Sequence, residues 1–211
     1  KKFNYRNCSI KNFAKAVKYL NDIGYYVIRF GNSNNNFDYS HTKYLELNQI
    51  DNRLQNAEFY FASTCEFFLG TTSGVNCFAT IFNKPSLITN NAPIGSNHWL
   101  PQDLIIFKKY KHQETKEVQK FSKIIELKLE NVFDSKIFEN NGLELVENNE
   151  DEILSLVKEH MNLISFSENE LKNIKLAKKN FLRNLKINNK SLDYNANISN
   201  DFVLKNINLF I

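Results

Sequence analysis

The sequence predicts an α/β fold, a parallel β-sheet with helices on both faces. Between Ser9 and Phe107, short runs rich in β-branched and aromatic residues alternate with segments whose apolar residues recur at helical spacing. Such alternation is typical of parallel sheets, because a helix that crosses over the sheet connects one parallel strand to the next. The chain of 211 residues is 42% hydrophobic and contains 18 Phe and 9 Tyr, which is enough to build a buried core.

The first part of the chain predicts a helix, a strand and a second helix. Ser9 is a suitable N-cap for a helix that ends at Gly24. The run 25–30 is rich in aromatic and β-branched residues and predicts a buried strand, followed by a loop over 31–43. A further helix is predicted over 53–64.

Three more strands and one more helix complete the alternation. We expect strands at Glu66–Leu69, Ser86–Thr89 and Leu104–Phe107. Apolar residues at helical spacing predict a helix over 75–82, which a following proline stops. A long loop with two prolines is expected over 90–103.

The last third of the chain is more helical. A strand is expected at Gly142–Val146, and Asn149 is a suitable N-cap for the helix that follows. Ser167 and Glu170 have the spacing of a capping box at the start of another helix. The apolar residues expected to face inward are Ile153, Leu156, Val157 and Ile164 in the first of these helices and Leu171, Ile174, Phe181 and Leu185 in the second.

The carboxyl ends of the predicted strands should lie together. Right-handed crossovers place these ends at one edge of a parallel sheet, and ligands bind beyond that edge, near the point where strand order reverses. The loops expected there are 29–33, 70–74 and 89–98. The sequence therefore predicts a ligand site built from these three loops.

The junction after the second predicted strand has the composition of an anion site. An apolar run ends at Gly70, and Thr71, Thr72, Ser73 and Gly74 separate it from the next helix. Backbone N–H groups, hydroxyls and the positive end of a helix dipole would then converge, which favours phosphate. Glycines would let the ligand approach the backbone closely. The alternative is that Thr72 or Ser73 simply caps the helix.

Arg29 is the second candidate, because a charged residue at the end of an apolar strand is costly unless it is paired. Its guanidinium could bind a diphosphate through two parallel hydrogen bonds. The alternative is a structural salt bridge to Asp38 or Glu66.

Three further residues are weaker candidates. Asn76 lies in the first turn of the predicted helix 75–82 and faces either a ligand or solvent. Asn90 follows a predicted strand and either binds a ribose or base or is a turn residue. His98 lies in the long loop and is the one histidine to test as a catalytic base, although a surface position is favoured.

Composition argues against several classes of protein. The net charge is +4 with scattered basic residues, and the densest cluster, 108–112, is interpreted as a solvated loop and not as a nucleic-acid groove. Three cysteines without metal spacing fit a reducing cytoplasm. Histidine spacing, the absence of an Asp-x-Asp pair and the absence of phosphate-loop and dinucleotide fingerprints predict neither metal nor cofactor. No apolar run approaches the roughly 20 residues that a membrane span needs.

A series of short blocks spans nearly the whole chain: Arg6–Ile10, Gly24, Val27–Gly31, Cys65–Gly74, Lys84–Pro85, Thr89–Pro93, Val146–Asn148, Glu152–Ile153 and Phe202–Leu204. In this order, the blocks resemble a family of bacterial glycosyltransferases with a GT-B-like arrangement of two Rossmann-type domains. The active site of that family lies between the two domains. The resemblance implies that this chain is the C-terminal, donor-binding half.

The resemblance also implies a division of the chain. Residues 1–165 would form the Rossmann-like nucleotide-sugar-binding domain and residues 166–211 a helical extension packed on it, with the N-terminal acceptor domain missing. Gly31 and Asn32 would join the donor contacts. The family usually has Asp where this chain has Asn32, so a charged role there is not carried over.

The expected function is metal-independent transfer of a sugar from a nucleotide-sugar donor to an acceptor hydroxyl, in cytoplasmic steps of surface-polysaccharide or glycoconjugate biosynthesis. The acceptor would be a glycan or a lipid-linked molecule, with peripheral membrane association as an option and no nucleic acid. Two alternatives stay open: a non-catalytic nucleotide-sugar-binding module, and a sugar-nucleotide epimerase with His98 as its base. The residues expected to bind the donor are Arg29, Gly31, Asn32, Gly70, Thr71, Thr72, Ser73, Gly74, Asn76 and Asn90.

Overall fold

A computed structural model describes residues 2–30, 37–47, 57–96, 100–188 and 195–211. Its strands are β1 Val27–Arg29, β2 Tyr44–Glu46, β3 Phe68–Thr71, β4 Ser86–Asn91, β5 Leu104–Phe107, β6 Lys109–His112, β7 Leu143–Val146 and β8 Asn197–Ile198. Its α-helices are α1 Ala14–Asp22, α2 Ala57–Thr64, α3 Asn76–Ile81, α4 Phe121–Glu126, α5 Ser135–Asn140, α6 Glu150–His160, α7 Glu168–Asn188, α8 Asn200–Lys205 and α9 Ile207–Phe210.

The main sheet has the strand order β3-β4-β5-β8, and all of its neighbouring strands are parallel. Strands β1 and β2 form a separate parallel pair, and β6 and β7 an antiparallel pair. Helices surround the main sheet, so the prediction of an α/β fold with a Rossmann-like parallel sheet is confirmed at this level.

Two aromatic pairs connect the segments around β1 and β3. The Tyr25 and Phe67 rings, which precede these strands, have centroids 6.1 Å apart, and the Phe30 and Phe68 rings have centroids 6.4 Å apart. The two segments are therefore in contact, although β1 and β3 belong to separate sheets in the described part of the chain.

The core joins the sheet to the C-terminal segment. Phe107 of β5 is fully buried and packs its ring 5.4 Å from each of Phe121 and Phe181, centroid to centroid. Phe210 of α9 completes this cluster at 5.0 Å from Phe121. Since residues 166–211 also supply β8 at the edge of the main sheet, they share one hydrophobic core with the preceding residues.

Several predicted boundaries were correct. Strand β5 has the predicted limits, α2 ends at Thr64 as expected, and α6 begins after Asn149, whose side chain accepts from backbone N–H groups in a capping box. The Ser167–Glu170 capping box is also present, since each of the two side chains accepts the other residue's backbone N–H. Residues 53–56 of the predicted helix lie outside the described residues.

Other predictions were wrong. Strand β3 begins two residues later than expected, so Gly70 and Thr71 belong to the strand and not to the loop. The expected buried strand at 25–30 is only three residues long and half-buried. Ile164 lies beyond the end of α6, and Leu171 is 45% exposed.

The basic cluster 108–112 is not a solvated loop. It continues from β5 into β6, where Tyr110 is fully buried and pairs with Leu145 across the antiparallel ladder. Lys108 is only 2% exposed. Successive side chains of a strand point to opposite faces, so the lysines of β6 point away from the face on which Tyr110 is buried. Their high density in the sequence therefore concealed the strand.

The carboxylate of Glu159 and the ammonium of Lys178 hold the segment between β8 and α8. Glu159 of α6 accepts from the Ser199 hydroxyl at 2.6 Å and from the Asn200 backbone N–H at 2.7 Å. Lys178 of α7 donates to the Ile198 carbonyl oxygen and, at 2.5 Å, to the Asn200 side-chain oxygen. Burial lowers the pKa of Lys178 to about 8. These contacts hold α6 and α7 to the segment that joins β8 to α8.

No helix in the described part of the chain combines the length and the apolar composition that crossing a membrane requires.

We expect acid to weaken the fold through His160. Burial lowers the pKa of this side chain, whose ring lies 4.9 Å from the Phe67 ring. The folded chain therefore binds the proton less tightly than the unfolded chain, so the free energy of unfolding should fall as pH drops through about 6.5. Urea denaturation at pH 7.5 and 5.5 should show a smaller loss for His160→Gln than for the wild type. Equal losses in the two proteins would contradict this prediction.

Candidate functional site at the carboxyl edge of the sheet

The loop that follows β3 lies at the carboxyl edge of the main sheet. Thr71 is the last residue of β3 and lies opposite Thr89 of β4 in the parallel register. Thr72, Ser73 and Gly74 then connect to α3. The structure thus places the hydroxyl-rich loop where ligands bind in open α/β sheets.

The two glycines of this junction have different environments. A Cβ atom at Gly70 would lie 2.7 Å from the Phe68 ring, so packing within β3 explains the absence of a side chain there. A Cβ atom at Gly74 would have nothing within 4 Å. Gly74 is exposed, and neither packing nor a positive φ requires glycine at that position. It is the glycine whose open space a ligand could use.

The Thr72 hydroxyl oxygen is buried and has no hydrogen-bond partner among the described residues. An unsatisfied buried hydroxyl costs roughly 1–3 kcal/mol. A ligand atom or a water molecule that bonded to this hydroxyl would remove that cost, so Thr72 is the most informative side chain of the loop.

No threonine or serine side chain caps α3. The N-cap residue is Val75, which forms no side-chain cap, and the Asn76 side-chain oxygen accepts the Ser73 backbone N–H at 3.2 Å and so closes the loop. The Asn76 side chain is therefore turned back towards the loop. Helix α3 has only six residues, and it ends before Asn83, which has a φ of 53°. Its dipole therefore extends over less than two turns.

Arg29 forms a structural ion pair, but with a partner that was not predicted. Its guanidinium lies 2.7 Å from Glu46 Oε1, and the two side chains are 14% and 9% exposed. Glu46 is the residue opposite Arg29 in the β1–β2 register, and it also accepts the Tyr44 hydroxyl at 2.9 Å. Burial raises the pKa of Tyr44, so this hydroxyl stays a donor. The salt-bridge alternative is present, and Glu46 takes the place expected of Asp38 or Glu66.

Asn90 lies inside β4 and not in the loop after it. It is fully buried with a φ of 54°, a conformation that Asn adopts more readily than most residues. Its side-chain oxygen accepts the Asn148 backbone N–H at 2.7 Å, and its own backbone N–H donates to the Asn148 side chain at 2.6 Å. Asn148 also donates to the Phe107 carbonyl oxygen. These bonds close the carboxyl edge above β4 and β5.

The sequence analysis did not predict a second cluster of polar side chains at this edge of the sheet. The Lys108 ammonium follows β5 and donates to the Asn7 carbonyl oxygen, while Glu147 accepts from the Ser9 backbone N–H at 2.8 Å. Burial lowers the pKa of Lys108. Burial, with the nearby Glu147 charge, raises the pKa of the Cys8 thiol to about 11. The sequence could have indicated this cluster, because Lys108 is a charged residue at the end of an apolar run, as Arg29 is.

The candidates Gly31, Asn32 and His98 lie outside the described residues. Within the described residues, no group of three or more His, Cys, Asp and Glu side chains could hold a metal ion. The candidates that the structure brings together are Thr71, Thr72, Ser73, Gly74 and Asn76. Arg29 ends β1, which belongs to a separate sheet, and Asn90 is enclosed in the closed part of the edge above β4 and β5.

Comparison with protein-family models, with curated proteins and with solved structures gave no match to this chain.

We expect the Arg29–Glu46 pair to be important for stability. Arg29→Ala removes the guanidinium that pairs with the buried Glu46 carboxylate, which should lower the free energy of unfolding by about 3 kcal/mol. In urea denaturation, the double variant Arg29→Ala/Glu46→Ala should lose clearly less than the sum of the two single variants.

The exposed pair of Lys18 and Asp22 is the matched control, with N–O contact at 2.9 Å. Lys18→Ala should leave the free energy of unfolding nearly unchanged, because exposed ion pairs contribute little to stability. Additive effects of Arg29→Ala and Glu46→Ala would contradict the pairing.

Proposed function

We propose that this chain binds a nucleotide-sugar at the loop after β3 and is the donor-binding part of a glycosyltransferase. The observation that carries the proposal is the position of this loop. Three consecutive hydroxyl residues, 71–73, and an exposed glycine lie at the carboxyl end of β3 in the main parallel sheet. The resemblance of the sequence blocks to bacterial glycosyltransferases supports the choice of a nucleotide-sugar.

The diphosphate of the donor would lie over Gly74, where the backbone is open to solvent. The loop hydroxyls of Thr72 and Ser73 and the backbone N–H groups at the start of α3 would donate to its oxygens. Donors fixed in this way stabilise the negative charge that develops on the leaving diphosphate when the glycosidic bond breaks. The acceptor hydroxyl, on a glycan or a lipid-linked molecule, would attack from the open side of the edge.

Arg29 takes a supporting role in this proposal. Its ion pair with Glu46 fixes β1 to β2 at the carboxyl edge. Any contact with a diphosphate is shared with the Glu46 carboxylate, which lowers the attraction for an anion. For this reason variants of the loop are better probes of ligand binding than variants of Arg29.

A thermal-shift panel of nucleotide-sugars tests binding directly. The correct donor at a hundredfold excess over its dissociation constant should stabilise the fold by about 2.7 kcal/mol. Incubating the stabilising donor with and without candidate acceptors then separates the alternatives. A glycosyltransferase releases the nucleotide only with an acceptor, an epimerase converts the sugar without one, and a binding module leaves the donor unchanged.

We expect Gly74→Ala to separate binding from folding. The new methyl group meets no protein atom, so the free energy of unfolding should stay the same or rise by about 0.4–1 kcal/mol. The same methyl group would block a diphosphate from the backbone, so the thermal shift caused by the donor should disappear.

Cys77→Ala is the control for this variant, because Cys77 is an exposed residue of α3 close to the loop. It should keep the full shift. A Gly74→Ala protein that responds to the donor like the wild type would place the ligand elsewhere.

We expect Thr72→Val to change stability and affinity in opposite directions. Replacing the unsatisfied hydroxyl by a methyl group should raise the free energy of unfolding by about 1 kcal/mol, because no hydrogen bond is lost. Donor affinity, measured by calorimetric titration, should fall about tenfold or more. Thr72→Ser keeps the hydroxyl and should keep most of the affinity. A less stable Thr72→Val protein would show that the hydroxyl is already bonded.

A further inference from the structure

Helix α7 carries a concentrated positive charge. It has six basic and two acidic side chains in 21 residues, and its net charge equals the +4 of the whole chain. At 3.6 residues per turn, five of the basic residues fall within an arc of about 80°. We call this arc the basic face of α7, formed by Lys172, Lys175, Lys179, Arg183 and Lys186.

The basic face points away from the protein. All five of its residues are exposed, whereas Ile174, Ala177, Phe181 and Leu185 on the opposite side of the helix are buried in the core. Lys178, which bonds to the segment before α8, lies between the two sides and is not part of the basic face. Since the buried side fixes the helix, the basic face is not needed for folding.

None of the five cations has an acidic partner within 4.0 Å in the part of the chain that the structure describes. Several of them are spaced three or four residues apart, where like charges repel each other along a helix. The face therefore carries a cost of uncompensated charge that an anionic surface would remove.

Apolar side chains lie on both sides of the basic face. Leu176 is 57% exposed on one side and Leu171 is 45% exposed on the other. Leu171, Leu182 and the cations beside them line a shallow groove of about 720 Å³. The surface thus combines a row of cations about 20 Å long with flanking leucines.

We propose that the basic face of α7 docks this protein on the surface of an anionic lipid bilayer. The cations would contact the lipid phosphates, and Leu171 and Leu176 would enter the boundary between headgroups and acyl chains. Clusters of four or more Lys and Arg side chains on a helix are attracted to anionic lipid surfaces. The straight row of charges suits a planar surface.

A single-stranded nucleic acid is the competing partner for a basic surface. Binding of that kind combines cations with exposed aromatic side chains on which bases stack. The one aromatic residue of α7 is Phe181, which is buried. The exposed apolar residues of the helix are leucines, and these favour the bilayer.

Co-sedimentation with vesicles tests the proposal. The protein should bind vesicles of equal parts phosphatidylglycerol and phosphatidylcholine, and vesicles of phosphatidylcholine alone should retain little of it. Raising the salt concentration from 50 to 500 mM should release most of the bound protein, because salt screens exposed charges. Lys175→Gln/Lys179→Gln should weaken partition to the anionic vesicles about thirtyfold, as expected for removing two cations at an anionic surface.

The control Lys11→Gln/Lys136→Gln removes the same charge from exposed lysines that lie on other elements and form no ion pair within the described residues. It should bind anionic vesicles within about threefold of the wild type. Leu176→Ser should weaken binding severalfold without changing its dependence on salt. Circular dichroism should show the same helix content in all of these proteins, because they change only exposed side chains.

Three results would overturn the proposal: no binding to anionic vesicles at 50 mM salt, equal loss of binding in the α7 variant and the control, or displacement from vesicles by an equimolar single-stranded RNA. Gly74→Ala should bind vesicles like the wild type. The vesicle experiments and the donor-binding experiments therefore test the two proposals independently, and either proposal can be overturned without the other.

Discussion

The structure depends on β4, the strand that is buried along its whole length between β3 and β5. Four of its six residues are polar, and buried polar groups are costly without partners; the Ser86 hydroxyl has none among the described residues, whereas other groups of this strand do. Thr89 donates its hydroxyl to the Gly70 carbonyl oxygen of β3, and the Ser86 backbone N–H donates to Asp103 before β5. Asn90 exchanges hydrogen bonds with Asn148. These bonds tie β4 to both neighbouring strands and to the turn before α6, so the polar residues of this strand act in folding.

This arrangement decides which part of the carboxyl edge can hold a ligand. Above β4 and β5, Asn148 and the buried Lys108 use their polar groups on backbone oxygens of the protein itself. Beside β3, the Thr72 hydroxyl lacks a partner among the described residues and Gly74 has open space around it. A ligand that binds at this edge gains the most binding free energy beside β3, because its polar atoms do not compete there with hydrogen bonds that already exist.

The sequence predicted the fold better than the limits and partners of its elements. Alternating strands and helices identified the parallel sheet, because crossover helices and buried strands leave strong local patterns. The start of β3 was misplaced by two residues, since an apolar run reports burial, whereas the ladder to β4 decides which residues are strand. Asn90 was assigned to a loop because its partner Asn148 is 58 residues away. The partner of Arg29 was wrong because β2, which carries Glu46, leaves little local signal in three residues.

The lysines show the same limit of prediction from sequence. A sequence shows that a residue is charged, but burial and partners decide what the charge does. Lys108 is buried and bonds to a backbone carbonyl oxygen, so it closes the edge of the sheet. Lys178 is fixed between β8 and α8 by similar bonds. Lys175 and Lys179 are exposed and have no acidic partner in the described residues, although they lie within one turn of Lys178. Because no acidic side chain among the described residues compensates their charge, an external anionic surface is the partner that their position favours.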